Sequence, residues 1–255
     1  MGPPKARAKN RPQSSLPKQA TGRAAAFRER KERFRLLREQ LRDPLLTVLT
    51  ILLAILMFVI APLHAEGIIA SQDLGLGVAL VVIGAVMFEC GMTPAVMVML
   101  VALGLAATAT MLRLQHHPRL DVYLDASAWI LIGLALSWVV ARAVFAPGRI
   151  NYHRIMGAVL LYLSVGLTFV ALYTFVGLLI PNSFSGMTVA DSPAMASTMI
   201  YFSFGTLTTA GSGDIAPLHP IARSLCNLEA MIGQLYPATL LARLVTLEIE
   251  GEDRP

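Results

Sequence analysis

Nine consecutive residues, Thr206-Leu207-Thr208-Thr209-Ala210-Gly211-Ser212-Gly213-Asp214, combine hydroxyls, two glycines one residue apart and a carboxylate. A cation leaving water needs its hydration shell replaced, and rings of main-chain carbonyls from several copies of such a strand can do that. Successive carbonyls point the same way only where some residues take unusual backbone angles, and Gly211 and Gly213 reach positive φ without steric cost. Thr209 can add a ring of hydroxyls at the inner end, and Asp214 a ring of negative charge at the outer mouth. Two other chemistries fit the same residues less well. Ser212 lies beside glycines, as the nucleophile of an intramembrane serine protease does, but no histidine follows His219 to serve as a base on a later span. Gly-Ser-Gly is also the composition of a flexible outer loop, a reading that its flanks oppose.

Such a strand works only if it is held at membrane depth, and the composition supplies a membrane. Of the 255 residues, 55% are hydrophobic and 15% charged, and the mean hydropathy is +0.63, too apolar for an ordinary soluble domain. The net charge of +5 does not imply nucleic acid, because 13 of the 21 Lys and Arg precede Pro44. That asymmetry reads as topology, with the basic N-terminus on the cytoplasmic side of the plasma membrane. Two cysteines, Cys90 and Cys226, imply no disulfide framework. The first apolar run begins too late for a cleaved leader.

The expected fold is an all-α, multi-pass membrane protein of three parts. Residues 1–43 form a basic segment, structureless at first and then amphipathic from Gly22 to Arg42. Its second half is either an interfacial helix on anionic lipid or a solvated lead-in that sets orientation. Residues 44–147 hold four spans: Leu45–Pro62, opened by the Asp43-Pro44 cap, then Leu74–Glu89, Pro94–Leu112 and Val122–Ala146. Residues 148–255 hold a fifth span, Ile155–Ile180, and a sixth, Ile221–Leu247, which places both termini in the cytoplasm. Pro181–Pro220 is too polar and broken to cross lipid. It contains a short apolar helix opened by Ser192-Pro193, and irregular backbone of this kind is tolerated only inside protein or a water-filled cavity. The expected order is span, re-entrant helix, glycine-containing strand, span.

With those residues in place, the stretch from about Ile155 to Val245 resembles the pore module of the potassium-channel superfamily, especially its small prokaryotic members. The motif T-L-T-T-A-G-S-G-D is similar to that family's T-x-T-T-V-G-Y-G-D, and A-R-S-L-C-N-L-E-A-M-I-G-Q-L-Y-P-A-T-L-L-A-R-L-V to its inner helix. The resemblance implies a homotetramer and an ion-binding filter over Thr208, Thr209, Ala210, Gly211, Ser212 and Gly213, with potassium at Thr209 to Ser212. It further implies Asp214 at the outer mouth, Gly233 as an inner-helix hinge, Gln234 in the cavity wall, and Tyr201 and Phe202 as filter support. No cofactor is implied beyond the permeant potassium ion. Ala210 and Ser212 depart from the family's valine and aromatic residue. The aromatic's absence leaves Tyr201 and Phe202 without their usual partner and the filter looser, or braced by the Ser212 hydroxyl. The expectation is therefore a potassium-permeable channel of weakened selectivity, with a weakly selective monovalent cation channel as the alternative. A six-span transporter is disfavoured, since paired broken helices are absent from the sequence.

Other residues carry narrower expectations. Glu229, inside the sixth span, is expected either to brace the filter through Ser203 or Thr206 or to make a satisfied polar contact with no part in gating. Pro237 removes a helical hydrogen bond and is expected to bend the inner helix near Gly233. The fourth span has no arginine between Val122 and Ala141, so the first four spans read as a structural collar rather than a voltage sensor. Trp129 and Trp138 are expected to pack, and His116-His117 to lie in a solvated loop.

Overall fold

The computed structural model describes residue 2 and residues 46–68, 93–114, 120–145, 152–189 and 192–252. All of the described elements lie within the unit Arg42–Pro255. They are α1 (Leu46–Ala65, with a π-helical stretch at Leu56–Ile60), α2 (Thr93–Leu114), α3 (Leu120–Val144), α4 (Tyr152–Leu179), β1 (Phe184–Ser185), α5 (Pro193–Leu207), β2 (Ala216–Pro217) and α6 (Pro220–Glu252).

Three of these helices are long and apolar enough to cross a membrane: Leu46–Ala65, Val122–Val144 and Ile155–Leu179. The apolar part of α2, Met97–Leu112, is shorter. At 33 residues α6 is the longest helix described, but Arg223, Glu229 and Arg243 make it less apolar than the other three. The expected second span, the Asp43-Pro44 cap, the amphipathic N-terminal segment, Cys90, Glu89 and His116-His117 lie outside the described residues.

Close helix packing follows from small residues placed where backbones meet. The Gly133 backbone of α3 lies directly on Thr168 of α4, and Ser137 shares a 2.9 Å hydrogen bond with Ser164 one turn away. Gly166 on α4 leaves room for the Phe204 ring of α5, whose carbons approach to 2.6 Å of where a side chain would begin. On its other side Phe204 meets Phe58 of α1 edge to face, 5.1 Å between centroids. The first helix thus touches the short helix α5. Trp129 packs partly buried against the main apolar cluster, whereas Trp138, expected to pack, is 63% exposed. Position 138 falls on the face of α3 turned away from α4, where an indole meets solvent or lipid instead of a neighbour.

A two-stranded antiparallel sheet ties together the segments on either side of α5. Phe184 pairs with Pro217 and Ser185 with Ala216, antiparallel, and the Ser183 carbonyl accepts from the Leu218 and His219 N–H groups at 2.8 and 3.2 Å. Gly186, at φ 79°, lies so close to the Asp214 carbonyl that no side chain would fit. The Asp214 end of the 208–214 segment is therefore held close against Gly186.

Candidate functional site

Helix α5 starts where the sequence places it. Ser192 is extended (φ −138°, ψ 150°) and Pro193 occupies the first turn, although the serine hydroxyl makes no capping bond. The helix is anchored through Phe202, which packs edge to face on Tyr173 (4.9 Å) and Phe184 (5.4 Å). Each such pair adds about 0.5–1.5 kcal/mol beyond its buried area. At its C-terminus the Thr208 N–H and hydroxyl both donate to the Phe204 carbonyl, at 3.0 and 2.6 Å.

From there the backbone alternates. Thr209 has φ 58°, Gly211 75° and Gly213 74°, with Ala210 and Ser212 between them at ordinary negative φ. The two glycines adopt this conformation freely, but for a β-branched residue it is a real outlier, costing on the order of 1–3 kcal/mol, and persists only where its surroundings hold it. Three bonds hold it here. The Thr209 N–H donates to Thr206 O (2.9 Å), the Gly211 N–H to Gly205 O (2.9 Å), and Gln234 Nε2 of α6 to Thr209 Oγ1 (2.8 Å). Gly205 lets the strand lie flat on α5: the Gly211 carbonyl carbon and Ser212 nitrogen sit 3.4 Å from the point where a Cβ would stand.

Among the described residues, no group donates to the carbonyls of Thr208, Thr209, Ala210 or Gly211, and all four residues are exposed. Being exposed, these four acceptors are open to water or to a cation. Ser212 differs. Its carbonyl accepts from the Tyr201 hydroxyl and from the Asp214 N–H (2.8 Å), and its hydroxyl donates to Ile215 O at 3.1 Å rather than meeting a base.

Behind the strand lies a polar node inside apolar packing. Glu229 of α6 is fully buried, and its carboxyl accepts from Ser203 of α5 (2.5 Å) and Tyr173 of α4 (2.6 Å). Ser203 also lies 3.0 Å from the Gly166 carbonyl. Of the two donors anticipated for Glu229, Ser203 is in contact, while Thr206 turns its hydroxyl to Phe202 O. Tyr173 went unanticipated, since a tyrosine 56 residues away on an apolar helix gives no local signal.

Lower down, Gly233 of α6 packs directly against the last turn of α5, so that any side chain there would overlap the Leu207 carbonyl. Tyr162 donates to that same carbonyl at 3.3 Å and stacks on Tyr236, whose hydroxyl reaches Ala158 O at 2.9 Å. Pro237 is inside α6 and lacks the N–H that would otherwise meet the Gly233 carbonyl.

Comparison with known families matches residues 159–249 to the ion channel family, just over a third of the chain. The matched segment runs from within α4 into α6 and includes the 208–214 segment, Tyr173, Ser203, Glu229, Gly233 and Gln234. No curated protein and no solved structure matches the chain. The match supports a passive ion channel embedded in a membrane and points to a non-enzymatic protein.

Proposed function

We propose that the chain is one subunit of a homotetrameric, potassium-permeable cation channel of the plasma membrane, with both termini cytoplasmic. Its filter runs over Thr208 to Gly213, with Asp214 at the outer mouth and Gln234 below. The observation that carries this reading is the alternation of left-handed φ at Thr209, Gly211 and Gly213 beside four exposed carbonyls to which no described residue donates. Alternating handedness turns successive carbonyls to one side, and four copies about an axis supply the oxygen cage that a dehydrated cation requires. The C-terminus of α5, pointing at the inner end of this strand, adds its negative partial charge to the attraction for cations.

The engaged Ser212 carbonyl favours weak discrimination between potassium and sodium, because one oxygen ring is turned toward α5 instead of the ion path. In this reading α1 to α3 form a collar against lipid, and the basic N-terminal segment meets anionic headgroups. Purified full-length protein in a planar bilayer, with potassium on one side and sodium on the other, is the direct test. The expected result is a cation current whose reversal potential is offset modestly from zero in the direction that marks potassium as the more permeant ion. Absence of current, or a strictly monomeric protein in lipid, overturns the proposal.

A further inference from the structure

Beyond the filter, Arg243 joins the far end of α6 to the collar. Its guanidinium donates through Nη2 to Phe145 O at 3.0 Å and through Nη1 to Val144 O at 3.4 Å, and its Cζ lies 5.0 Å from the centre of the Phe145 ring. The two carbonyls end α3, where the last turn of a helix has acceptors without intrahelical donors and a negative partial charge. A planar, permanently charged fork fits two adjacent carbonyls and an aromatic face together, as an ammonium cannot. The contact is 98 residues long-range, and no packing in the ion-channel segment alone calls for it.

Its position gives it leverage. Arg243 lies six residues beyond Pro237, on the part of α6 that must swing if the inner mouth changes width. It shares a face of α6 with Ala222, Glu229, Gly233 and Tyr236, all turned toward the chain's own helices. The opposite face exposes Leu228, Met231, Leu235 and Leu241. In a ring of copies lined by α6, the axis lies on that exposed side, so the Arg243 contact draws the helix end away from the axis.

We infer that Arg243 is a positioning residue that latches the end of the inner helix to the C-terminus of α3 and so holds the inner mouth open. This rests on the channel reading, and it gives the collar a part in gating without any voltage-sensing charge.

The experiment compares wild type, R243A, R243K and F145A as full-length protein in planar bilayers. Hydrogen bonds from a charged donor set the scale, so R243A is expected to lower open probability about ten- to hundred-fold. Lysine keeps the charge but not the fork, so R243K falls between. F145A lowers open probability in the wild-type background and adds little on top of R243A, because the ring acts through the arginine. Reversal potential and unitary conductance stay unchanged, which separates the effect from a general loss of structure. In parallel, spin labels at Ala143 and Thr246, in a background lacking Cys90 and Cys226 and diluted with unlabelled subunits, report the separation of the two helix ends. R243A is expected to lengthen and broaden it. An R243A channel with open probability within twofold of wild type or higher, or an unchanged label distance, overturns the latch. A silent wild type beside a lengthened distance in R243A overturns the channel reading while leaving the contact itself supported.

Discussion

The hydroxyl of Tyr201 donates to the backbone carbonyl of Ser212, eleven residues on and across the gap between helix and strand. In the potassium-channel pore that the sequence resembles, a large aromatic stands where this chain has Ser212. With only a hydroxymethyl group at 212, Tyr201 reaches the backbone instead. On the proposed channel reading, this bond turns the Ser212 oxygen away from the ion path.

Removing that hydroxyl should therefore return the oxygen. Tyr201→Phe keeps the ring and the helix while leaving the Ser212 carbonyl with only its Asp214 donor. A net hydrogen bond of about 1 kcal/mol corresponds to roughly a five-fold change in a population ratio. The potassium-to-sodium permeability ratio of Y201F is expected to rise by about that factor, read from bi-ionic reversal potentials. An unaltered reversal potential would show that the bond has no bearing on ion choice.

Glu229 offers a test of stability. Its carboxyl joins three helices through Ser203 and Tyr173 within apolar packing, so truncation strands two hydroxyls and leaves a void. Glu229→Ala is expected to destabilise each subunit by about 3–5 kcal/mol, seen as a lower midpoint of thermal unfolding in detergent and loss of assembled protein. Glu229→Gln keeps the volume and one acceptor and is expected to cost about 1–2 kcal/mol. If alanine and glutamine unfold together with wild type, the node has no structural weight.

How far the sequence led depends on the range of the signal. The glycine alternation was legible because Gly211 and Gly213 announce positive φ by their identity, and the Ser192-Pro193 start because caps are local. Thr209 was not, since every local preference keeps a β-branched residue out of the left-handed region. Its φ of 58° is imposed by the Thr206 carbonyl and by Gln234, 25 residues away. Gly233 had been expected to act as a hinge. In the fold its missing side chain is what admits the Leu207 carbonyl, a contact between two helices that periodicity cannot register. Arg243 likewise read as part of an inner-helix pattern, and its partners at Val144 and Phe145 belong to a helix outside that pattern.

The Gln234 bond to Thr209 can be removed without touching the strand. Gln234→Leu keeps the size of the side chain but deletes the Nε2 donor. Thr209 then relaxes toward negative φ in a fraction of subunits, and its carbonyl turns with it. Potassium conductance is expected to fall about five-fold, the same scale as one net hydrogen bond, with assembly unchanged by size-exclusion chromatography. A conductance equal to wild type would place the restraint on Thr209 elsewhere.

Gly233 separates two accounts of the inner helix. If it serves only as a flexible point, Gly233→Ala should assemble normally and alter gating alone, since alanine stiffens a helix by about 1 kcal/mol. The contact with Leu207 predicts something harsher. A methyl at 233 overlaps a carbonyl of the backbone, not the end of a yielding side chain, so α6 must move off the last turn of α5. That movement carries Gln234 away from Thr209 and pulls on the turn that starts the strand. Overpacking of this kind costs typically about 1–3 kcal/mol and more where backbone is the obstacle, so G233A is expected to lose most of its assembled form. Gly104 on α2 is exposed, with no described residue within 4 Å of where a Cβ would stand, and supplies the control: G104A should assemble as wild type does. A G233A protein that assembles fully and conducts with only its open probability altered would assign this glycine to bending rather than to packing.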